Sequence, residues 1–82
     1  KRLLKKRDAH NFIRALTYPG PYAMVLHQNK IIYIINSIYQ KDLKNNGIRQ
    51  FIGKFIYIQN NHFFLKCIDG FLRINIFIHE NK

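Results

Sequence analysis

Four histidines, one cysteine and four acids are the side chains of this 82-residue sequence that could do catalytic or metal chemistry. Their spacing argues against both. His10, His27, His62 and His79 lie far apart, and they show no zinc-like spacing with one another or with Cys67. Each reads as a surface or strand-end histidine, and no metal is expected. Asp8, Asp42, Asp69 and Glu80 are spent on a helix cap, a loop, a turn and the tail, and no two are placed as an acid–base pair. Ser37 lies in a strand-like run without the sharp turn that exposes a nucleophile. Gly47 and Gly53 lack the spacing of a phosphate-binding loop. A lone cysteine excludes an internal disulfide and suits a reducing compartment; within its apolar run Cys67 is expected to pack as a small hydrophobe.

Positive charge is what the chain has in excess. Fourteen Lys and Arg stand against four Asp and Glu, a net charge of +10. Such a balance attracts polyanions. RNA, DNA, an anionic membrane or an acidic domain are the candidates, and a compositional drift towards Ile, Asn and Lys is the competing explanation. Lys5, Lys6 and Arg7 cluster near the start, and Arg14 follows. Lys30, Lys41, Lys44, Lys54 and Arg73 are spread over the rest, with Arg49 and Lys66. These are the candidate nucleic-acid contacts, because phosphate attraction adds up without exact geometry. Tyr33, Tyr39, Tyr57 and Phe71 offer faces on which bases could stack. For any single one, a core or cross-strand pair is the more common role.

The elements that would position these residues follow from the hydrophobic pattern. Residues 1–7 form a basic linker segment, and residues 8–82 a single domain; the chain has no room for a second, and its first residue is lysine, as expected for a piece of something longer or for a processed product. Asp8 caps a helix on which Ala9, Phe12, Ile13 and Leu16 share one face. The helix ends before Pro19, and Pro19, Gly20 and Pro21 turn the chain. Strand patterns begin at Tyr22. A turn at Asn29–Lys30 leads to a run, residues 31–39, that is apolar on both faces and is expected to be covered on both. A polar loop, residues 40–47, precedes a third strand region, residues 48–59, interrupted at Gly53 by a bulge or close backbone approach. Turns at Asn60–Asn61 and Asp69–Gly70 join the last three strands. In the final strand Leu72, Ile74, Ile76 and Ile78 alternate strictly with Phe71, Arg73, Asn75, Phe77 and His79. One helix and about five antiparallel strands predict a mainly β fold, a small OB-like antiparallel barrel with one N-terminal helix. No apolar stretch approaches the roughly 20 residues of a membrane-spanning helix, and no secretory signal is evident, so no membrane partner and a cytoplasmic location are expected.

Two stretches carry a resemblance. Ile13-Arg14-Ala15, the corner Pro19-Gly20-Pro21 and Ala23 resemble the opening of the C-terminal domain of the formyltransferase family, which comprises methionyl-tRNA formyltransferases and sugar-nucleotide relatives. Gly53, the pair Asp69-Gly70, and Leu72 with Ile74 are similar to that domain's second motif. The likeness spans roughly residues 8 to 78. It departs from the family where glycine sits between the two prolines and where Ile52, not proline, precedes Gly53. The resemblance implies an OB-like accessory domain that is not an enzyme by itself. It places the chemistry, an Asn-His-Asp set and 10-formyltetrahydrofolate, in an N-terminal catalytic domain, with no cofactor in this chain. It implies a partner surface for tRNA, or a dimerisation or positioning role in a sugar N-formyltransferase, with a homodimer as one form. A free-standing OB-type binder of nucleic acid remains the third reading. Arg14 is expected to tie the helix to the corner or to the catalytic domain, and the corner to orient the helix against the barrel.

Overall fold

The computed structural model describes residues 3–17, 20–40 and 47–80. Pro19, Lys41, Asp42 and Lys44, named above, lie outside the described residues. The chain forms helix α1 (Lys6–Thr17) and strands β1 (Ala23–His27), β2 (Lys30–Ile38), β3 (Arg49–Ile52), β4 (Ile56–Gln59), β5 (His62–Cys67) and β6 (Gly70–Glu80). The strands make one antiparallel sheet in the order β1-β2-β6-β5-β4-β3, a half-barrel. The mainly β fold with one helix is therefore as the sequence predicts.

The helix starts two residues before Asp8, so the basic lead-in supplies its first residues. The Ala9 N–H donates to the Lys5 carbonyl at 2.9 Å. Asp8 is not the cap but lies in the first turn, where its charge favours the helix dipole. The cap comes from across the fold. The Lys6 N–H donates to Asp69 Oδ1 at 2.8 Å, and the Ile68 N–H donates to the Leu4 carbonyl at 2.8 Å. Ala9 and Ile13 are buried and Leu16 half-buried, but Phe12 is 55% exposed. Successive residues turn by about 100°, which sets Phe12 at one edge of the apolar stripe, a step away from Ile13. The far end of the helix is held on β2: Thr17 Oγ1 lies 2.7 Å from the Ile13 carbonyl and 3.1 Å from the Ile35 carbonyl. The corner that follows has Gly20 at φ 96° and a cis Gly20–Pro21 peptide.

The third strand region is two strands, not one interrupted strand, so the sheet has six strands. Ile52 pairs with Ile56, and the Phe55 N–H donates to the Ile52 carbonyl at 3.2 Å. Gly53, at φ 54°, sits in the turn between them, and the register shift falls at Phe51. Two other turns lie one residue earlier than the sequence suggests. His27 pairs with Lys30, so the turn is Gln28–Asn29, and Gln28 takes the left-handed φ of 53°. Cys67 pairs with Gly70, so the turn is Ile68–Asp69, and Gly70 opens β6. Asn60 and Asn61 form their turn as expected, with φ 52° and 64°.

The core lies between the helix and the inner face of the sheet. Ile32, Ile34, Ile52, Ile56, Cys67, Leu72 and Ile74 pack there with Ala9, Ile13 and Ala23. The alternation in β6 holds: Leu72 and Ile74 point in, Arg73 and Asn75 out. In β2 only one face is covered. Ile32 and Ile34 are buried, while Ile31, Tyr33 and Ile35 on the other side stay half-buried, because no second layer lies over them among the described residues.

Candidate nucleic-acid interface

The predicted cations reach the surface but do not converge. Lys5 precedes α1, and Arg7 and Arg14 lie two turns apart along its exposed side; all three are exposed, and Lys6 is half-buried. Lys30 begins β2, Lys54 sits in the β3–β4 turn, and Lys66 lies on β5, each exposed. Arg49 on β3 is exposed, and Arg73 on β6 is half-buried. Arg7 Nε lies 3.8 Å from Asp8 Oδ1, with both side chains mostly in water, so that pair contributes little. Arg14 is exposed on the helix and makes no hydrogen bond or ion pair with a described residue. Of the motif residues, Gly20 and Pro21 form the corner, Gly53 the β3–β4 turn, and Asp69 with Gly70 the end of the β5–β6 hairpin. Asp69 does more than shape a turn, since it caps α1.

The aromatic candidates fall on two sides. Tyr39 faces the helix, its ring 4.5 Å from that of His10, and His10 Nδ1 lies 2.6 Å from Ser37 Oγ. That contact fastens α1 to β2. Tyr57 and Phe71 meet edge to face at 5.4 Å on the outer face of the sheet. Tyr33 lies further along the same face, 6.3 Å from Phe77 and 6.5 Å from Tyr22. Pro21, Tyr22, Tyr33, Ile35 and Phe77 line an open apolar hollow of about 390 Å³. The sequence sets Tyr22 at the start of the strands and Phe77 in the β6 alternation, and puts neither among the stacking candidates. Strand alternation puts Phe77 on the Tyr33 face once β2 and β6 are known to be neighbours, and that pairing is long-range.

The chemistry of the remaining groups is plain. Among the described residues no group of three His, Cys, Asp or Glu gathers into a metal site. Burial, and after it the Asp69 carboxylate, push the Cys67 thiol up to about 11, against a smaller opposing pull from Lys6. Such a thiol is protonated at neutral pH and inert. No helix among the described residues is long and apolar enough to cross a membrane.

The strands and helix together make a mainly β half-barrel with one helix latched across its inner face. The family model described as formyl transferase, C-terminal domain, matches residues 5–82, and the chain belongs to that family. A search of curated proteins and a search of solved structures each gave no match. The match is to the family as a whole; between its branches, the surface must decide.

Proposed function

We propose that the chain is the accessory domain of a formyltransferase, and that it contacts tRNA on behalf of an N-terminal catalytic domain that uses 10-formyltetrahydrofolate in the cytoplasm. The formyl transfer and its cofactor belong to that catalytic domain. The observation that carries the reading is the surface: Lys5, Arg7, Arg14, Lys30, Arg49, Lys54 and Lys66 are all exposed, against exposed Asp8 and Asp69, one of which is engaged at the helix N-terminus. Phosphate contacts of this kind steer and hold a polyanion without a deep pocket. The test is a titration of the 82-residue chain with unmodified tRNA and with a random single strand, at low and at physiological salt. Micromolar binding to tRNA that survives physiological salt is expected. Absence of binding at both salts would reject the reading.

A second reading has its own observation. Met24 is 61%, Leu26 75% and Phe77 56% exposed on the outer side of β1, β2 and β6, beside the aromatic hollow. Contiguous apolar surface of this kind marks a covered face. In this reading the domain dimerises, or seats against a catalytic domain, in a sugar-nucleotide N-formyltransferase. Sedimentation equilibrium of the chain and of Leu26→Lys separates the two. A dimer that Leu26→Lys dissolves supports the second reading, and a monomer in both removes its dimer form.

A further inference from the structure

One side chain from each of β2, β6, β5, β4 and β3 joins a single row across the outer face: Ile38, Arg73, Phe64, Tyr57 and Gln50, each opposite the next in the antiparallel register. Phe64, at the middle, is 2% exposed. Arg73 beside it is half-buried, and its Nε is sealed from solvent with no hydrogen-bond partner. A guanidinium is permanently charged and all donor, so leaving a buried N–H unmatched is unfavourable. Of the acids among the described residues, Asp69 is engaged with the Lys6 N–H, Asp8 sits on the helix, and Glu80 belongs to the far end of β6, opposite Lys30. Lys66 stands opposite Phe71, one diagonal step from Arg73 on the same face. Like charges placed so close on a sheet repel each other unless an anion lies between them. The two cations are framed by the edge-to-face pair of Tyr57 and Phe71.

We propose that this outer face of β4, β5 and β6 binds a single-stranded segment of RNA, with a phosphate on Arg73 and Lys66 and an unpaired base against the Tyr57–Phe71 pair. The proposal rests on the RNA-contacting reading above and deepens it, by naming the surface and the form of the strand. A phosphate at the guanidinium's outer N–H groups supplies negative charge to an arginine whose Nε has no partner among the described residues, and Arg suits such oxygens better than Lys. The rings supply a stacking surface that any base can use. A duplex keeps its bases stacked inside and cannot use the rings, so it is left to the exposed cations of α1.

The experiment is fluorescence anisotropy of the 82-residue chain with a labelled single-stranded RNA oligonucleotide and with a duplex of equal length, over a series of salt concentrations. The variants are Lys66→Gln, Arg73→Gln, Tyr57→Leu and the helix double variant Arg7→Gln/Arg14→Gln. Thermal unfolding reports whether each is folded, and exposed Lys66 keeps the test alive if a substitution at Arg73 unfolds the sheet. Lys66→Gln and Arg73→Gln are each expected to lower the slope of log K against log salt by about 0.7 for the single strand. Tyr57→Leu is expected to weaken the single strand about tenfold with the slope unchanged. The duplex is expected to respond mainly to the helix variant. Should the wild type bind single strands while Lys66→Gln and Arg73→Gln bind them equally well, the site is wrong and the RNA reading stands. Equal losses for single strand and duplex would overturn the choice of single strand. A wild type that binds neither RNA ends both.

Discussion

Replacing Asp69 by alanine should unlatch the start of α1. Its Oδ1 accepts the Lys6 N–H at 2.8 Å, although 63 residues separate the two in sequence. The first N–H groups of a helix have no partner within it, so this carboxylate acts as an N-terminal capping side chain. A capping acceptor contributes about 1 kcal/mol, and a negative charge at the first turn adds about 0.5 kcal/mol at an exposed site. Asp69→Ala is therefore expected to cost about 1.5 kcal/mol, a fall in Tm of about 6–12 °C for a domain of this length. Asp69→Asn keeps an acceptor and loses the charge, so it should cost only about 0.5 kcal/mol, or about 2–4 °C. The assay is thermal unfolding followed by far-UV circular dichroism at neutral pH, with Asp8→Ala as the comparison. Added salt should narrow the gap between wild type and Asp69→Asn without rescuing Asp69→Ala. If Asp69→Ala falls within about 0.3 kcal/mol of wild type, or Asp8→Ala costs more, the cap is not what holds the helix.

Other expectations concern the core. Ile13→Ala should cost about 3 kcal/mol in denaturant unfolding, because it empties a buried site between helix and sheet. Phe12→Ala should stay within about 0.5 kcal/mol, since more than half of that side chain already meets water; a Phe12 cost as large as that of Ile13 would mean the helix face is misassigned. Cys67 should resist alkylation in the native chain at neutral pH and react on unfolding. Its folded pKa of about 11 lies above the ordinary 9.0, so the folded state holds the proton more tightly. Stability referred to Cys67→Ala is therefore complete below pH 9 and declines as pH rises towards 11. A difference that stays flat across that window would contradict the burial.

The parts of the fold written in short-range pattern are legible in the amino-acid sequence alone. The β6 alternation, the Asn60–Asn61 turn and the buried Cys67 all follow from two- and three-residue rules. Two turns sit one residue away from where glycine or asparagine would put them. Gly70 belongs to the strand because it pairs with Cys67, and Gln28, a residue with no turn signal of its own, takes the left-handed position. Gly53 resembles a bulge because apolar residues continue on both sides of it. Only the pairing of Ile52 with Ile56 shows that the chain doubles back. Local pattern gives the helix cap to the nearest acid, Asp8, since a partner 63 residues away leaves no local trace. At the candidate interface the single residues are visible as cations and aromatics. Their arrangement is not, because the row through Arg73, Phe64 and Tyr57 depends on β6 lying between β2 and β5.

That central place of β6 shapes how the domain comes into being. Among the described residues β6 is the last strand in sequence, yet in the sheet it lies between the β1–β2 hairpin and the β3–β4–β5 meander. On the ribosome, both earlier pieces would be complete and still share no ladder. The acid that caps the first helix precedes β6 by a single residue. Assembly of the sheet is thus gated by β6, whose pairs with β2 join residues 35 (Ile38 to Arg73) to 50 (Lys30 to Glu80) apart, a topology that favours slow, all-or-none assembly over stepwise growth from the N-terminus. A nascent chain stopped within β6 would carry both earlier pieces and lack the strand that joins them in one sheet.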